Sequence, residues 1–165
     1  MTDKTAYRVS LSLIADYQFL VSFGDLPDDA PLIVDEAPPL GQGAGPSPAA
    51  LLAAAATNCL AASLLFCLRK ARARVAGLTA DAVVRLGRNE AGRLRVTRID
   101  VKLVPDVGAD EAQLERCQGI FEEFCTVTES LRQGIPVGVS VEAAPAAGRA
   151  AAIPADSAAA CRDAR

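Results

Sequence analysis

Cys59 and Cys125 stand in a chain that contains no histidine, and that combination narrows the available chemistry. Cys59 lies in Asn58-Cys59-Leu60 and Cys125 in Phe124-Cys125-Thr126-Val127, both within segments that read as helical. Without imidazole there is no Ser–His or Cys–His nucleophile pair and no histidine-bearing zinc site. The candidate reactive atoms are sulfurs, and something other than imidazole must ionise them. A thiol with a pKa of about 8.5 is only a few per cent thiolate at neutral pH. Lowering that value by about two units takes roughly 2.7 kcal/mol of differential stabilisation. An arginine in a partly dry pocket could supply it, and Arg8 on the first strand is one candidate. Cys59 sits roughly 16 Å along its helix from Pro48, at about 1.5 Å per residue. The helix dipole, which acts mainly in the first turn, is therefore not its main activator.

The chain has five cysteines: Cys59, Cys67, Cys117, Cys125 and Cys161. An odd number, mostly inside apolar helical segments, does not fit a secreted disulfide framework. No Cys-x-x-Cys is present, so neither a metal knuckle nor a thioredoxin-type motif is expected, and no metal site is assigned. Within one helix, Cys59 and Cys67 are about 12 Å apart, as are Cys117 and Cys125. Disulfide Cα atoms lie within about 7 Å, so a bridge must join the two helices. Antiparallel packing would let Cys59 meet Cys125, and parallel packing would let it meet Cys117; spacing does not choose. Cys67 and Cys117 read as small buried hydrophobes, and Cys161 as an exposed accessory thiol.

At 165 residues, 51% of them hydrophobic, the chain reads as one domain with a real core. Its net charge of −3, with no long basic run, argues against a nucleic-acid partner. The start, Met1-Thr2-Asp3-Lys4-Thr5, lacks a charged-then-apolar signal pattern, so a cytoplasmic, reducing compartment is expected. Residues 49–68 carry no charge and are followed by Arg69, Lys70, Arg72 and Arg74, a pattern that a membrane span can show. Alanine is only weakly hydrophobic, however, and Thr57, Asn58 and Ser63 fall in the middle. The segment reads as a buried core helix and no membrane partner is assigned.

The elements that must position the sulfurs follow from local pattern. Residues 7–14 and 17–23 alternate and predict two strands around a tight turn at Ala15-Asp16. Leu32-Ile33-Val34 predicts a short strand, and a loop with Pro38-Pro39, Gly41, Gly43 and Gly45 follows. Ser47-Pro48 predicts a helix start, with serine as cap and proline in the first turn; the helix should run to about Arg74, with Gly77 as its stop. Residues 78–89 and 93–104 predict a long hairpin turning at Asn89-Glu90-Ala91-Gly92, with a bulge near Thr97-Arg98. Asp110 with Gln113 predicts the capping box of a second helix continuing through Leu131 to Gly134. Residues 135–142 alternate Ile135, Val137, Val139 and Val141 and predict a last strand. Residues 143–165, rich in Ala, Pro, Gly and Arg, read as a disordered tail, leaving 1–142 as the domain. The expected class is α+β, with antiparallel sheets around two central apolar helices. The first helix has more apolar surface than one small sheet covers, so a homodimer is expected.

The run Gly45-Pro46-Ser47-Pro48, with Leu51-Leu52-Ala53-Ala54-Ala55 and Asn58-Cys59-Leu60 after it, resembles the first helix of the OsmC/Ohr family, the osmotically inducible and organic hydroperoxide resistance proteins. Residues 121–134, from Phe121-Glu122-Glu123-Phe124-Cys125 to Gly134, resemble that family's second cysteine motif. The loop Val34-Asp35-Glu36-Ala37-Pro38-Pro39-Leu40-Gly41 is similar to an OsmC-like branch. The match runs over about residues 7–142 in the same order of elements.

This resemblance implies an OsmC-like intertwined homodimer with active sites at the subunit interface, and thiol-dependent peroxidase chemistry on organic hydroperoxides or hydrogen peroxide. It assigns Cys59 as the peroxidatic and Cys125 as the resolving cysteine, joined by a disulfide after a Cys59 sulfenic acid. It implies an external dithiol reductant, lipoyl-type in some relatives, and no bound cofactor. The chain departs from the pattern at three points. Ala49 and Ala50 follow Pro48 where the best-studied peroxidases carry a glutamate that holds an activating arginine; Gln18 stands near the place of that arginine; and Thr126 replaces the usual proline after the second cysteine. Asp35 and Glu36 could take over from the missing acid, or be ordinary solvated loop acids. The missing glutamate favours an alternative: a non-catalytic small-ligand-binding protein of the same fold with redox-inert cysteines.

Overall fold

The computed structural model describes residues 6–24 and 31–143. Residues 25–30 and those from 144 onward, with Cys161 and the expected tail, lie outside the described residues. The expected α+β class is observed, with two antiparallel sheets packed with helical segments.

Strands β1 (Val9–Ala15), β2 (Gln18–Phe23) and β3 (Leu32–Val34) form a three-stranded sheet in that order. The β1–β2 turn falls where expected, and Asp16 takes the left-handed conformation (φ 44°) that aspartate tolerates in turns. Strands β4 (Gly77–Arg88) and β5 (Leu94–Asp106) form a separate hairpin. Its register slips between Arg85 and Leu86 because Thr97 is the extra residue on β5, the bulge that the pattern predicts.

Helix α1 spans Pro48–Lys70. Ser47 caps it, its Oγ accepting the Ala50 N–H at 3.3 Å, and Arg69 and Lys70 face the negative end of its dipole. It stops earlier than expected, because Arg72 turns left-handed (φ 59°) rather than continuing to Arg74. Its buried residues, Ala53, Ala56, Leu60, Leu64 and Leu68, form one stripe. The opposite face, including Ala54, Ala55, Ala62 and Phe66, is exposed. By length and mean hydropathy (2.0) α1 could cross a bilayer, but here it lies against β4, β5 and the C-terminal helical segments. The core gathers at the C-terminal half of α1, where Leu64, Leu68, Ala73, Val107 and Cys117 pack together.

Three expectations are corrected. The second helix is broken into α2 (Glu111–Gln118), a single 3-10 turn at Phe121–Phe124, and α3 (Thr126–Gln133). Gly119 ends the first piece, and Cys125, which is extended (φ −83°, ψ 95°), breaks the helical path again before α3. No capping box forms at Asp110, whose Oδ2 instead accepts the Arg74 N–H at 2.8 Å. Cys67 and Cys117 are not separate hydrophobes: a disulfide joins them, with Cα atoms 5.8 Å apart, and ties α2 to α1.

Residues 135–142 form no strand. Ile135, Val137, Val139 and Val141 are 56–92% exposed. An alternating segment becomes a strand only beside another strand, and among the described residues no strand pairs with this one.

Candidate functional site

Cys59 sits midway along α1 and Cys125 at the N-cap position of α3. Both are free thiols; Cys59 is half-buried and Cys125 fully buried. The break in the second helix brings them together, since the extended Cys125 lies at the turn that packs against α1. Each sulfur lies within hydrogen-bonding range of the other. Of the open alternatives, the chain therefore puts Cys59 beside Cys125, while Cys117 pairs with Cys67 two turns further along α1.

The two thiols differ in environment. Burial pushes the Cys59 thiol up, and the neighbouring Cys125 sulfur raises it further; the backbone N–H groups of Val127 and Thr126 only partly offset this. Burial also pushes Cys125 up, but there donors win. The Thr128 hydroxyl, the Cys59 thiol, the Thr128 backbone N–H and the Ser63 hydroxyl together hold Cys125 below the ordinary thiol value. Cys125 Sγ is 3.0 Å from Thr128 Oγ1. The neutral thiol can donate to that oxygen, and the hydroxyl can rotate and donate to a thiolate.

The arginine expected beside Cys59 is not found there. Arg8 precedes β1, in the sheet that β2 and β3 complete, and none of the main influences on Cys59 is a cation. Arg132 on α3 is held by Glu122 and Glu129. Gln18 is on β2, where its side-chain amide donates to Asp35 Oδ2 at 3.4 Å.

Asp35 is not a solvated loop acid; it is 1% exposed. Oδ1 accepts the Glu36 N–H at 2.8 Å, and Oδ2 accepts those of Gln42 and Ala44 at 3.0 Å each. The Ala44 N–H, with Gln42, Glu36 and Gln18 in support, holds its carboxyl below the usual aspartate value against the effect of burial. The loop closes so tightly that a Cβ at Gly41 would overlap the Asp35 carboxylate, and one at Gly45 the Ile33 carbonyl. An acid directly after a strand, followed by three alternate glycines, was the available sign of this cradle. Asp35 organises the approach to α1.

A cavity of about 660 Å³ lies between α1, β5 and the C-terminal segments, with Leu60, Leu64, Ile99, Phe121 and Thr128 in its wall. It approaches the pair through Thr128 on the Cys125 side; Cys59 itself is not in its wall. Arg98, Glu122 and Arg132 add charge to an otherwise mainly apolar lining.

Two sheets, a long apolar helix, and a cysteine on it meeting a second cysteine define an α+β fold with a dithiol centre. The family model described as OsmC-like protein matches residues 41–140. The chain belongs to the OsmC family. Among solved structures, an OsmC-like protein from Vibrio cholerae shares 20% identity at TM-score 0.64, covering 77% of this chain and 94% of the other. An OsmC-like protein from Mycoplasma pneumoniae shares 15% at TM-score 0.65, covering 79% and 89%. The organic hydroperoxide resistance protein OhrB of Bacillus subtilis shares 20% at TM-score 0.53, covering 77% and 90%. These similarities carry the fold. A comparison with curated proteins returns no match.

Proposed function

We propose that this protein is a thiol-dependent peroxidase that reduces organic hydroperoxides or hydrogen peroxide. Cys59, the more accessible sulfur, attacks the peroxide oxygen and releases an alcohol or water. The resulting sulfenic acid condenses with Cys125 to a disulfide, releasing water. An external dithiol restores the two thiols by exchange. The observation that carries this reading is the contact between two free sulfurs 66 positions apart in the chain, one half-buried and one enclosed. Similarity to an organic hydroperoxide resistance protein supports the substrate class.

The working unit in this reading is a homodimer in the cytoplasm. The exposed alanine face of α1 and the unpaired alternating segment 135–142 are surfaces that a second copy would cover.

The test is oxidation of the full chain by cumene hydroperoxide or tert-butyl hydroperoxide, followed by peptide mapping. A Cys59–Cys125 bridge is expected in the wild type, and a Cys59→Ser variant should lose peroxide consumption. Finding neither that bridge nor a Cys59 sulfenic acid would overturn the proposal.

One observation favours the rival, a ligand-binding protein with inert cysteines: the Cys59 thiol is pushed up and has no cation among its main influences. In that case Cys59→Ser leaves function intact.

A further inference from the structure

We propose that the Cys67–Cys117 disulfide is a second redox site, opened and closed by exchange with a dithiol, and that it latches the cavity wall that leads to Cys125. Its effect on turnover rests on the peroxidase reading; the latch itself does not.

The pattern of burial carries this inference. From 111 to 133 the chain runs through α2, the 3-10 turn and α3, and in that whole stretch only Cys117 and Cys125 are buried. Cys117 is bonded to Cys67 on α1, whereas Cys125 is a free thiol. Helix α2 has eight residues, too few to hold a helix by themselves in water. Its start is tied to the segment after α1 by the Asp110–Arg74 hydrogen bond, and its last turn by the disulfide. Residues 118–124 are exposed or half-buried, so the next deeply seated point along the chain is Cys125 itself.

The same stretch forms one side of the cavity of about 660 Å³. Leu114 and Gln118 on α2, Phe121 on the 3-10 turn and Thr128 on α3 share its wall with Leu60 and Leu64 of α1. With the disulfide closed, this side is fastened covalently to α1, eight positions before Cys125. With it open, α2 keeps only its start and the half-buried Leu114, and the wall loosens locally while α1 and the two sheets keep their own packing. A disulfide in a reducing compartment is usually transient and redox-sensing. This one has a sulfur at which exchange can begin, since Cys67 is half-buried whereas Cys117 is enclosed.

The exchange balances. A thiolate of the donor attacks the Cys67 sulfur, the Cys67–Cys117 bond breaks, and Cys117 leaves as a thiolate that takes up a proton. The donor's second thiolate attacks the donor sulfur bound to Cys67, and Cys67 leaves and is protonated in turn. The donor ends as a disulfide, having lost two electrons and two protons, and the two cysteines have gained them. An oxidised donor drives the same steps backward and closes the latch.

The experiment equilibrates the full chain, and the same chain carrying Cys59→Ser with Cys125→Ser, in reduced and in oxidised dithiothreitol. Free thiols are trapped by alkylation and mapped by peptide mass spectrometry, and amide hydrogen exchange is read on the same samples. The wild type, freed of dithiothreitol, then receives one equivalent of cumene hydroperoxide. Cys67 and Cys117 should resist alkylation in the oxidised buffer and become alkylated together in the reduced one. Opening should speed amide exchange over residues 111–124 about ten-fold or more in both proteins and leave β1, β2 and α1 unchanged. In the wild type it should also slow Cys59–Cys125 bridging about ten-fold, so that Cys59 sulfenic acid accumulates, and re-oxidation should restore the rate. Cys67 and Cys117 alkylating freely in the oxidised buffer, or staying joined in the reduced one, would overturn the redox site. Exchange over 111–124 that ignores opening would overturn the latch, and so would exchange that rises through β1 and β2 as well, the mark of a staple for the whole fold. Exchange that responds while bridging keeps its rate would overturn the link to turnover. If no form of the wild type bridges Cys59 to Cys125, the peroxidase reading falls, while exchange in the double variant still decides the latch.

Discussion

Asp35 is the residue whose burial most changes its meaning. Four donors converge on one carboxylate, and truncation would strand them. Asp35→Ala should lower the Tm by about 5 °C or more, and Asp35→Asn by less, as measured by differential scanning calorimetry. The folded-state carboxyl titrates below the reference value of 3.8. Its stabilisation is therefore complete above that value and is lost as pH falls through the lower folded value. The Tm gap between wild type and Asp35→Asn should narrow in that acid window; a constant gap would remove Asp35 from the account. At this scale the sequence was legible where one side chain acts on its near neighbours, as with Ser47 at its cap. It was silent on Asp35, because donors up to 17 positions away decide whether a loop acid is solvated. It was also silent on Cys59, whose missing cation depends on which strands pack near α1.

Among the elements, the turn and bulge signals held, whereas the Asp110 capping box and the packing signals did not. The β1–β2 turn and the Thr97 bulge are set by residues within a few positions of each other. The second helix is different. Its apolar spacing is continuous enough to predict one helix, yet it breaks at Gly119 and again before Thr126. That break is what delivers Cys125 to Cys59. The same uncertainty hid the Cys67–Cys117 link, since spacing along each helix does not say how the two cross. This bond closes a loop of sequence separation 50, which the chain-entropy model values at about 4 kcal/mol. Replacing Cys67 and Cys117 together by alanine should lower the denaturant midpoint accordingly. An unchanged midpoint, with both thiols free to alkylation in the wild type, would show that the link is not formed in solution. A stable disulfide also sits uneasily with a reducing compartment, so alkylation in cell extract bears directly on the cytoplasmic expectation.

For the molecule as a whole, the single chain leaves much apolar surface uncovered. Leu11 and Leu13 on β1, Phe66 on α1, and Val137, Val139 and Val141 beyond α3 are all more than half exposed. Among the described residues β1 pairs only with β2, and β4 only with β5, so strand edges are also open. The proposed second copy would meet both demands at once. Sedimentation equilibrium should give twice the chain mass, and Val137→Asp with Val139→Asp should weaken the association and reduce peroxide turnover. A monodisperse wild-type monomer would contradict the dimer. The overall class was legible because binary pattern and element order suffice for it. The unpaired segment 135–142 was misplaced because periodicity says that a strand wants a neighbour, not which chain supplies one.

Access to the sulfur pair is lopsided, for Cys125 has no exposed surface whereas Cys59 does. If peroxide joins the two as proposed, an incoming electron donor makes its first covalent link to Cys59, with Cys125 as the leaving group. The donor's second thiol then attacks its own sulfur in that link, so Cys59 leaves as the thiol, and a donor with one thiol in place of two would stay caught on it.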